Sequence, residues 1–370
     1  MKTVLIAHNY YKTSFASMSY HLANYLCEEG FRIIFISKDP YFTSPKEKRI
    51  GKGKLILYSW PKTIKSTSFK DFVFCLKLVK KYTPEVVIGH HNGAITSVIV
   101  SKLILKKRVK TADYHHVCTN SFLQDHTGPR WKINFFLFRK KLLYNLFCNW
   151  VICPSLKATE DVKNNFNFQN TSLIPNPLPD RFKGFSHQLR YEKIIIGYLG
   201  RIVPCKNVLW LVDQFISYKA SNPKTKIVLE IAGDGFQKEE LIEKIGGNSC
   251  ITYKGNLTYN QVDDFINSLN FTIIPSTADN LPTVVTESLM LSVPPLVSKN
   301  IGSIDYLNNK KDSLFFNVSD EKDLRNTFET IEKLTEKDYQ TLCKQARATY
   351  LRHFTMGQYF ETMKKFIVNK

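Results

Sequence analysis

Two carboxylates eight positions apart, Asp279 and Glu287, stand in the run Pro275-Ser276-Thr277-Ala278-Asp279-Asn280-Leu281-Pro282-Thr283-Val284-Val285-Thr286-Glu287-Ser288. Each can accept hydrogen bonds from a hydroxyl pair, one from a loop and one from a helix. The apolar Phe271-Thr272-Ile273-Ile274 before them reads as a short buried strand. Residues 289–293 and 294–298 read as the rest of a helix and the next strand. Pro282 suits the first helical turn, where its missing N–H costs little. The pattern aims a helix N-terminus, with unpaired amides and a positive dipole end, at the mouth of a parallel sheet, a place that suits a phosphate. Phosphate-seeking amides between two hydroxyl-seeking carboxylates describe a nucleotide-sugar site.

A second constellation stands about 80 residues earlier, in Gly197-Tyr198-Leu199-Gly200-Arg201-Ile202-Val203-Pro204-Cys205-Lys206-Asn207. It follows the apolar Ile194-Ile195-Ile196 and precedes the helical spacing of Val208, Leu211, Val212 and Phe215. A strand, a glycine turn, two cations and a helix form an anion grip. Arg201 offers a planar fork and Lys206 a point charge to a diphosphate. Between the two constellations, residues 226–232, 237–245 and 251–255 read as strand, helix and strand. Thr258 then opens a helix with Gln261 three positions later, a capping-box spacing. Strands alternating with helices predict a doubly wound parallel sheet.

Together these stretches resemble retaining glycosyltransferases of family 4, the group 1 glycosyltransferases with the two-domain GT-B fold. The family pattern is Glu, seven residues, Glu; here the first acid is Asp279, one methylene shorter, and the small residue usual near the fourth position is Pro282. The resemblance implies an α/β chain of two Rossmann-like domains facing a central cleft. It implies that Gly200, Arg201, Lys206, Asp279, Asn280, Leu281, Pro282, Thr283 and Glu287 bind the donor, with Tyr253 in the loop that contacts the base. Arg201 and Lys206 would hold the donor diphosphate and neutralise charge on the leaving nucleotide. Glu287 would hold the ribose and Asp279 a hydroxyl of the sugar. The family also carries a His at the carboxyl end of a first-domain strand, facing the transferred sugar. Either His115 or His116 in Tyr114-His115-His116 matches it, and strand alternation lets only one point inward. No cofactor is expected, and no metal, because there is no Asp-x-Asp ligand motif.

The N-terminal half alternates in the same way. Strands are expected at residues 3–7, 31–37, 86–89, 109–113 and 151–155, with a helix over 17–29 stopped by Gly30. At 370 residues the chain is too long for one ordinary core and suits two. The proline-rich Leu173-Ile174-Pro175-Asn176-Pro177-Leu178-Pro179 makes a stiff connection, similar to the family's Ile-Pro-Asn segment before its linker. The expected division is residues 1–185 for the acceptor and 186–353 for the nucleotide-sugar donor. By the same resemblance, a helix in residues 354–370 crosses back to the first domain. The loop Asn9-Tyr10-Tyr11-Lys12-Thr13-Ser14-Phe15-Ala16-Ser17 lacks the glycines many relatives have there, leaving Lys12, Thr13 or Ser14 to approach the phosphate.

Charge separates the halves. Residues 1–193 hold 31 Lys plus Arg and 12 Asp plus Glu, a net of +19, whereas the remainder nets +1 of the total +20. This balance favours an anionic membrane surface, or a lipid-linked or phosphorylated glycan acceptor. Residues 132–144 mix bulky apolar and basic side chains, as a helix in a membrane interface does or as a core helix with a solvated basic edge does. Residues 46–54 and 102–110 are further cationic clusters that read as solvated faces. No apolar stretch reaches the ~18 residues of a spanning helix, and residues 1–8 read as a strand rather than a signal peptide. The eight cysteines lack Cys-x-x-Cys spacing and read as reduced thiols. The composite expectation is a cytoplasmic enzyme, peripheral at the inner face of the plasma membrane, building lipopolysaccharide, O-antigen or another surface polysaccharide. A GT-B sugar-nucleotide epimerase or phosphorylase, and a catalytically silent binding paralogue, are the alternatives. A nicotinamide-dependent dehydrogenase is excluded by the absence of glycine from His8 to Ser17. A nucleic-acid module does not explain Arg201, Lys206, Asp279 and Glu287 together.

Overall fold

The computed structural model describes residues 1–9, 17–62, 67–126, 128–184, 187–189 and 192–369. Lys12, Thr13 and Ser14 lie outside the described residues. The chain forms two compact units, one of Met1–His116, Gly128–Asn176 and Met356–Lys370, the other of Val117–Thr127 and Pro177–Thr355.

The first unit begins with β1 (Thr3–His8), α1 (Met18–Glu28), β2 (Arg32–Ser37), β3 (Lys46–Ile50), β4 (Gly53–Ser59), α2 (Phe69–Tyr82) and β5 (Val86–His90). It continues with α3 (Ile95–Leu105) and β6 (Lys110–Tyr114); α4 (Thr119–Asp125) then belongs to the second unit, before α5 (Arg130–Phe147), β7 (Trp150–Cys153), α6 (Leu156–Phe166) and β8 (Thr171–Leu173). The strand order is β3-β4-β2-β1-β5-β6-β7-β8. The sequence predicts a wholly parallel sheet, but β3 pairs antiparallel with β4 at the edge. The cationic cluster at residues 46–54 is this hairpin, its first strand almost wholly exposed, with Glu47 against Lys54 at 2.5 Å. Charge on an edge strand keeps other strands from adding to it. The central strands read as continuous apolar runs because helices cover both faces.

The second unit holds β9 (Ile194–Leu199), α7 (Val208–Ser221), β10 (Ile227–Ala232), α8 (Lys238–Ile245), β11 (Ile251–Tyr253), α9 (Tyr259–Ser268) and β12 (Phe271–Ile274). It ends with α10 (Thr283–Met290), β13 (Pro295–Ser298), β14 (Leu314–Phe316), α11 (Glu321–Glu332) and α12 (Glu336–His353). Its sheet is parallel, in the order β11-β10-β9-β12-β13-β14. The Thr258–Gln261 capping box opens α9 as its spacing predicts. Phe215, Tyr218 and Phe328 fill the core on one side, and Leu289, Tyr350 and Phe354 belong to a second buried cluster.

The division falls after Asn176, not at 185/186, whose flanking residues lie outside the described set. Long-range bonds fix it there. The Leu178 N–H donates to the Phe354 carbonyl, Asp180 pairs with Arg347 at 2.5 Å, and Arg181 binds Asp263 through two 2.8 Å bonds. The proline-rich run is thus shared: Ile174 packs in the first unit's core with its N–H on the Cys153 carbonyl, and Leu178 packs in the second. The last helix, α13 (Met356–Asn369), packs in the first unit. The Tyr114 hydroxyl donates to that of Tyr359 at 3.0 Å, Met363 is fully buried, and Lys2 Nζ donates to the Ile367 carbonyl at 2.8 Å. Met363→Ala is expected to cost about 2–5 kcal/mol of stability, read as a lower denaturation midpoint at unchanged slope.

Candidate functional site

The second unit's sheet reverses its winding between β9 and β12. Phe271 pairs with Ile196 and Thr272 with Gly197, while β10 and β11 lie to one side and β13 and β14 to the other. Ligands of doubly wound sheets sit beyond the carboxyl ends of the strands at such a switch. Both constellations leave there: residues 200–207 after β9, and residues 275–282 after β12.

The turn after β9 is zipped to the one after β10. Gly200 N–H donates to the Ala232 carbonyl at 3.1 Å and Ile202 N–H to the Asp234 carbonyl at 2.9 Å. A Cβ at Gly233 would stand 1.8 Å from the Gly200 oxygen, so only glycine permits this approach. Tyr253 extends the zipper by donating to the Gly233 carbonyl at 2.8 Å, which fixes the loop expected to meet a base. The turn after β9 also binds the loop after β12, since Thr277 N–H donates to the Cys205 carbonyl at 3.0 Å. Leu281 is anchored in the core below, and Asn280 is buried with its N–H on Asp279 Oδ1 at 2.9 Å.

Lys206 and Asp279 are brought together as an ion pair, both side chains largely shielded from solvent. Such a pair stores a cation that a stronger anionic ligand can recruit, whereas removing one partner strands a buried charge. Arg201 is mostly exposed and meets Asp125 at 3.0 Å. Asp125 also accepts from the Cys205 N–H at 3.2 Å, bracing the turn from α4. Burial pushes the Cys205 thiol up to about 12, so it is no nucleophile at neutral pH.

Pro282 was expected inside the first helical turn; it is the N-cap of α10, its ψ of 126° keeping it outside the helix. No side chain caps α10, and its first turn carries no acid, so the amides of Thr283 and Val284 have no capping side chain among the described residues. That leaves an unscreened positive dipole end four positions after Asp279, at the end of the same loop. Glu287 lies one turn further along, buried, with Arg181 at 3.7 Å, and burial raises its carboxyl to about 7. Asp263, held by the same Arg181, raises it further while Arg181 opposes the shift. Arg181, Asp263 and Asp125 escape sequence reading because each reaches its partner across at least 76 positions.

In the first unit His115 and His116 part company. His115 is fully buried, with Nδ1 at 3.0 Å from the Tyr144 hydroxyl and Nε2 at 2.7 Å from Asp161. Both nitrogens are occupied by α5 and α6. His116 instead stacks on His91 at 4.4 Å, near His90 at 5.6 Å, beside His8 at the carboxyl ends of β1, β5 and β6. That is again a winding switch, between β1 and β5. Burial drives His8 and His91 down to about 4 and His90 and His116 well below their usual range, so these imidazoles are neutral. Neutral imidazole both donates and accepts, which suits hydroxyls rather than anions.

The glycosyl transferases group 1 model matches residues 180–349, and the glycosyltransferase family 4 model matches residues 16–181. The chain belongs to the group 1 glycosyltransferases. This glycosyltransferase is 24% identical over 292 residues to the uncharacterized glycosyltransferase MJ1059 of Methanocaldococcus jannaschii, covering 71% of the chain and 69% of that protein. It is 28% identical over 173 residues to TuaC of Bacillus subtilis, described as a putative teichuronic acid biosynthesis glycosyltransferase; the match spans 44% of the chain and 42% of TuaC. Its fold matches that of HepE from Anabaena, solved with UDP and glucose, at a TM-score of 0.74 over the whole of both chains with 12% identity. The glycosyltransferase thus has the GT-B fold.

The raised Glu287 carboxyl carries a sign. The unfolded chain ionises first as pH rises from about 4.5, so this residue destabilises the fold progressively until about pH 7 and by a constant amount above it. Glu287→Gln is expected to raise the melting temperature at pH 8, by the equivalent of about 3 kcal/mol at most, with no gain at pH 4. A pH-independent difference between the two proteins would refute the burial argument.

Proposed function

We propose that this glycosyltransferase moves a sugar, with retention, from a nucleoside-diphosphate sugar to a hydroxyl of a lipid-linked or phosphate-bearing glycan in cell-surface polysaccharide assembly. One observation carries the donor reading: a shielded Lys206–Asp279 pair and the uncapped N-terminus of α10 belong to two loops bonded to each other at the winding switch. A diphosphate there takes Lys206 as counter-ion, Arg201 as a fork and the Thr283 amide as donor. Asp279, released from Lys206, accepts from a sugar hydroxyl, and Glu287 accepts from the ribose. HepE was solved with UDP and with UDP-glucose, which supports a donor of this class. TuaC's description supports the polysaccharide setting.

As the anomeric carbon–oxygen bond breaks, its electron pair passes to the diphosphate, where Arg201, Lys206 and the α10 dipole stabilise the growing charge. The acceptor oxygen bonds to the anomeric carbon on the face the diphosphate leaves, and its proton goes to the departing phosphate oxygen. His116, neutral and among the other imidazoles, is assigned to position a hydroxyl; His115, with both nitrogens engaged, holds α5 and α6. No cofactor or metal is assigned. The basic first unit is assigned to an anionic bilayer surface at the cytoplasmic face, and no helix among the described residues is long and apolar enough to cross a membrane.

Thermal denaturation with UDP, GDP, ADP, CMP and NAD tests the reading. One nucleoside diphosphate at a hundred times its dissociation constant is expected to add about 2.7 kcal/mol of stability, lost with Arg201→Ala and with Glu287→Ala. Stabilisation by NAD alone, or by no diphosphate, would overturn it. Product formation from the donor without any acceptor would instead favour an epimerase or phosphorylase.

A further inference from the structure

Helix α5 is apolar on two faces. One buries Ile133, Leu143 and Tyr144 in the first unit. The other presents Trp131, Phe135, Phe138, Leu142 and Leu146, which follow helical spacing and are 40–67% exposed. A water-facing stripe of five such residues is uncommon on a monomer and marks an interaction surface. Beneath it lies a cavity of about 340 Å³, walled by Ile95 and Ile99 of α3 and by Phe136, Leu143 and Phe147 of α5. Leu142 belongs to both, so the cavity opens on the stripe. Phe136 and Phe147 are eleven positions apart, roughly 16 Å along the helix. An apolar void of ~150 Å³ accommodates one benzene ring, so this one has room for a chain on the order of a dozen carbons.

Charge selects the occupant. The helix sequence from Arg130 to Phe147 contains five basic residues and no acid. Arg139 and Lys140 line the cavity itself. Among the described residues Arg139 has no carboxylate partner; its guanidinium lies over the Phe135 ring at 5.8 Å, at the stripe. An aliphatic slot whose rim carries a planar cation fits a hydrocarbon chain ending in phosphate. Asn92 and Gly93 close another part of the wall and directly follow His90-His91, so the slot adjoins the imidazole cluster in sequence.

We propose that this cavity binds the hydrocarbon chain of a phosphate-bearing lipid, which enters across the α5 stripe and leaves its phosphate on Arg139. That this lipid carries the acceptor glycan rests on the transferase reading; its binding does not.

The test uses the full chain with dodecyl phosphate below its micellar concentration, and dodecyl maltoside as the uncharged probe, in equilibrium dialysis. Saturable binding of one dodecyl phosphate per chain is expected. Ile99→Trp, which fills the slot, and Leu142→Asp, at its exposed mouth, should each weaken it at least tenfold. Arg139→Ala should weaken dodecyl phosphate about tenfold while leaving dodecyl maltoside unchanged. Melting temperature and the nucleoside-diphosphate shift, measured on the same variants, separate loss of the slot from misfolding. Absence of saturable binding, or an affinity in Ile99→Trp and Leu142→Asp unchanged from that of the unsubstituted protein, overturns the proposal even where the nucleotide shift stands. A dimer that Phe138→Ser dissociates, without dodecyl phosphate binding, would give the stripe to a second copy of the chain and also overturn it.

Discussion

Everything at the candidate site of the second unit depends on β9 and β12 lying side by side although 71 residues separate the end of one from the start of the other. That adjacency places two turns within one hydrogen bond of each other, Thr277 N–H to the Cys205 carbonyl. It also makes Lys206 and Asp279 partners. Neither turn alone is a site. A glycine turn with two cations is common, and so is a loop acid before a helix. Joined, they put a shielded cation, a carboxylate and an uncapped helix start where a doubly wound sheet receives ligands.

The pair also explains how a cation is kept at a partly dry site with no ligand present. An unpaired Lys206 would lose hydration without compensation, and Asp279 supplies the compensation. Glu287 has the same problem with the opposite sign and is served less well, by Arg181 at 3.7 Å while Arg181 is committed to Asp263. Its carboxyl therefore rises. In the first unit the clustered histidines at the strand ends are neutral, and basic side chains stand on exposed elements such as β3 and α5.

Local signals carried most of the elements into the sequence. Phe271-Thr272-Ile273-Ile274 is a strand from end to end, and Thr258 with Gln261 caps α9 by the spacing alone. Segments 194–199, 227–232 and 271–274 alternate with helices, which suffices for a parallel sheet. What escaped depends on distant partners. Residues 46–50 are too charged to read as a strand, and they are one only because β4 returns beside them. The boundary moved from 185/186 to 176/177 because Arg181 and Asp180 find Asp263 and Arg347. Residues 117–127 join the second unit through Ser121, Gln124 and Asp125, a grouping no periodicity announces. Of the adjacent histidines, the sequence could state only that one faces away; Tyr144 and Asp161 decide which.

The most direct test of the central claim is a crystal structure with the nucleoside diphosphate that stabilises the protein. Its diphosphate is expected against the Thr283 amide and Arg201, with Lys206 turned from Asp279 onto a phosphate oxygen. A diphosphate bound elsewhere, with Lys206 and Asp279 still paired, would contradict it.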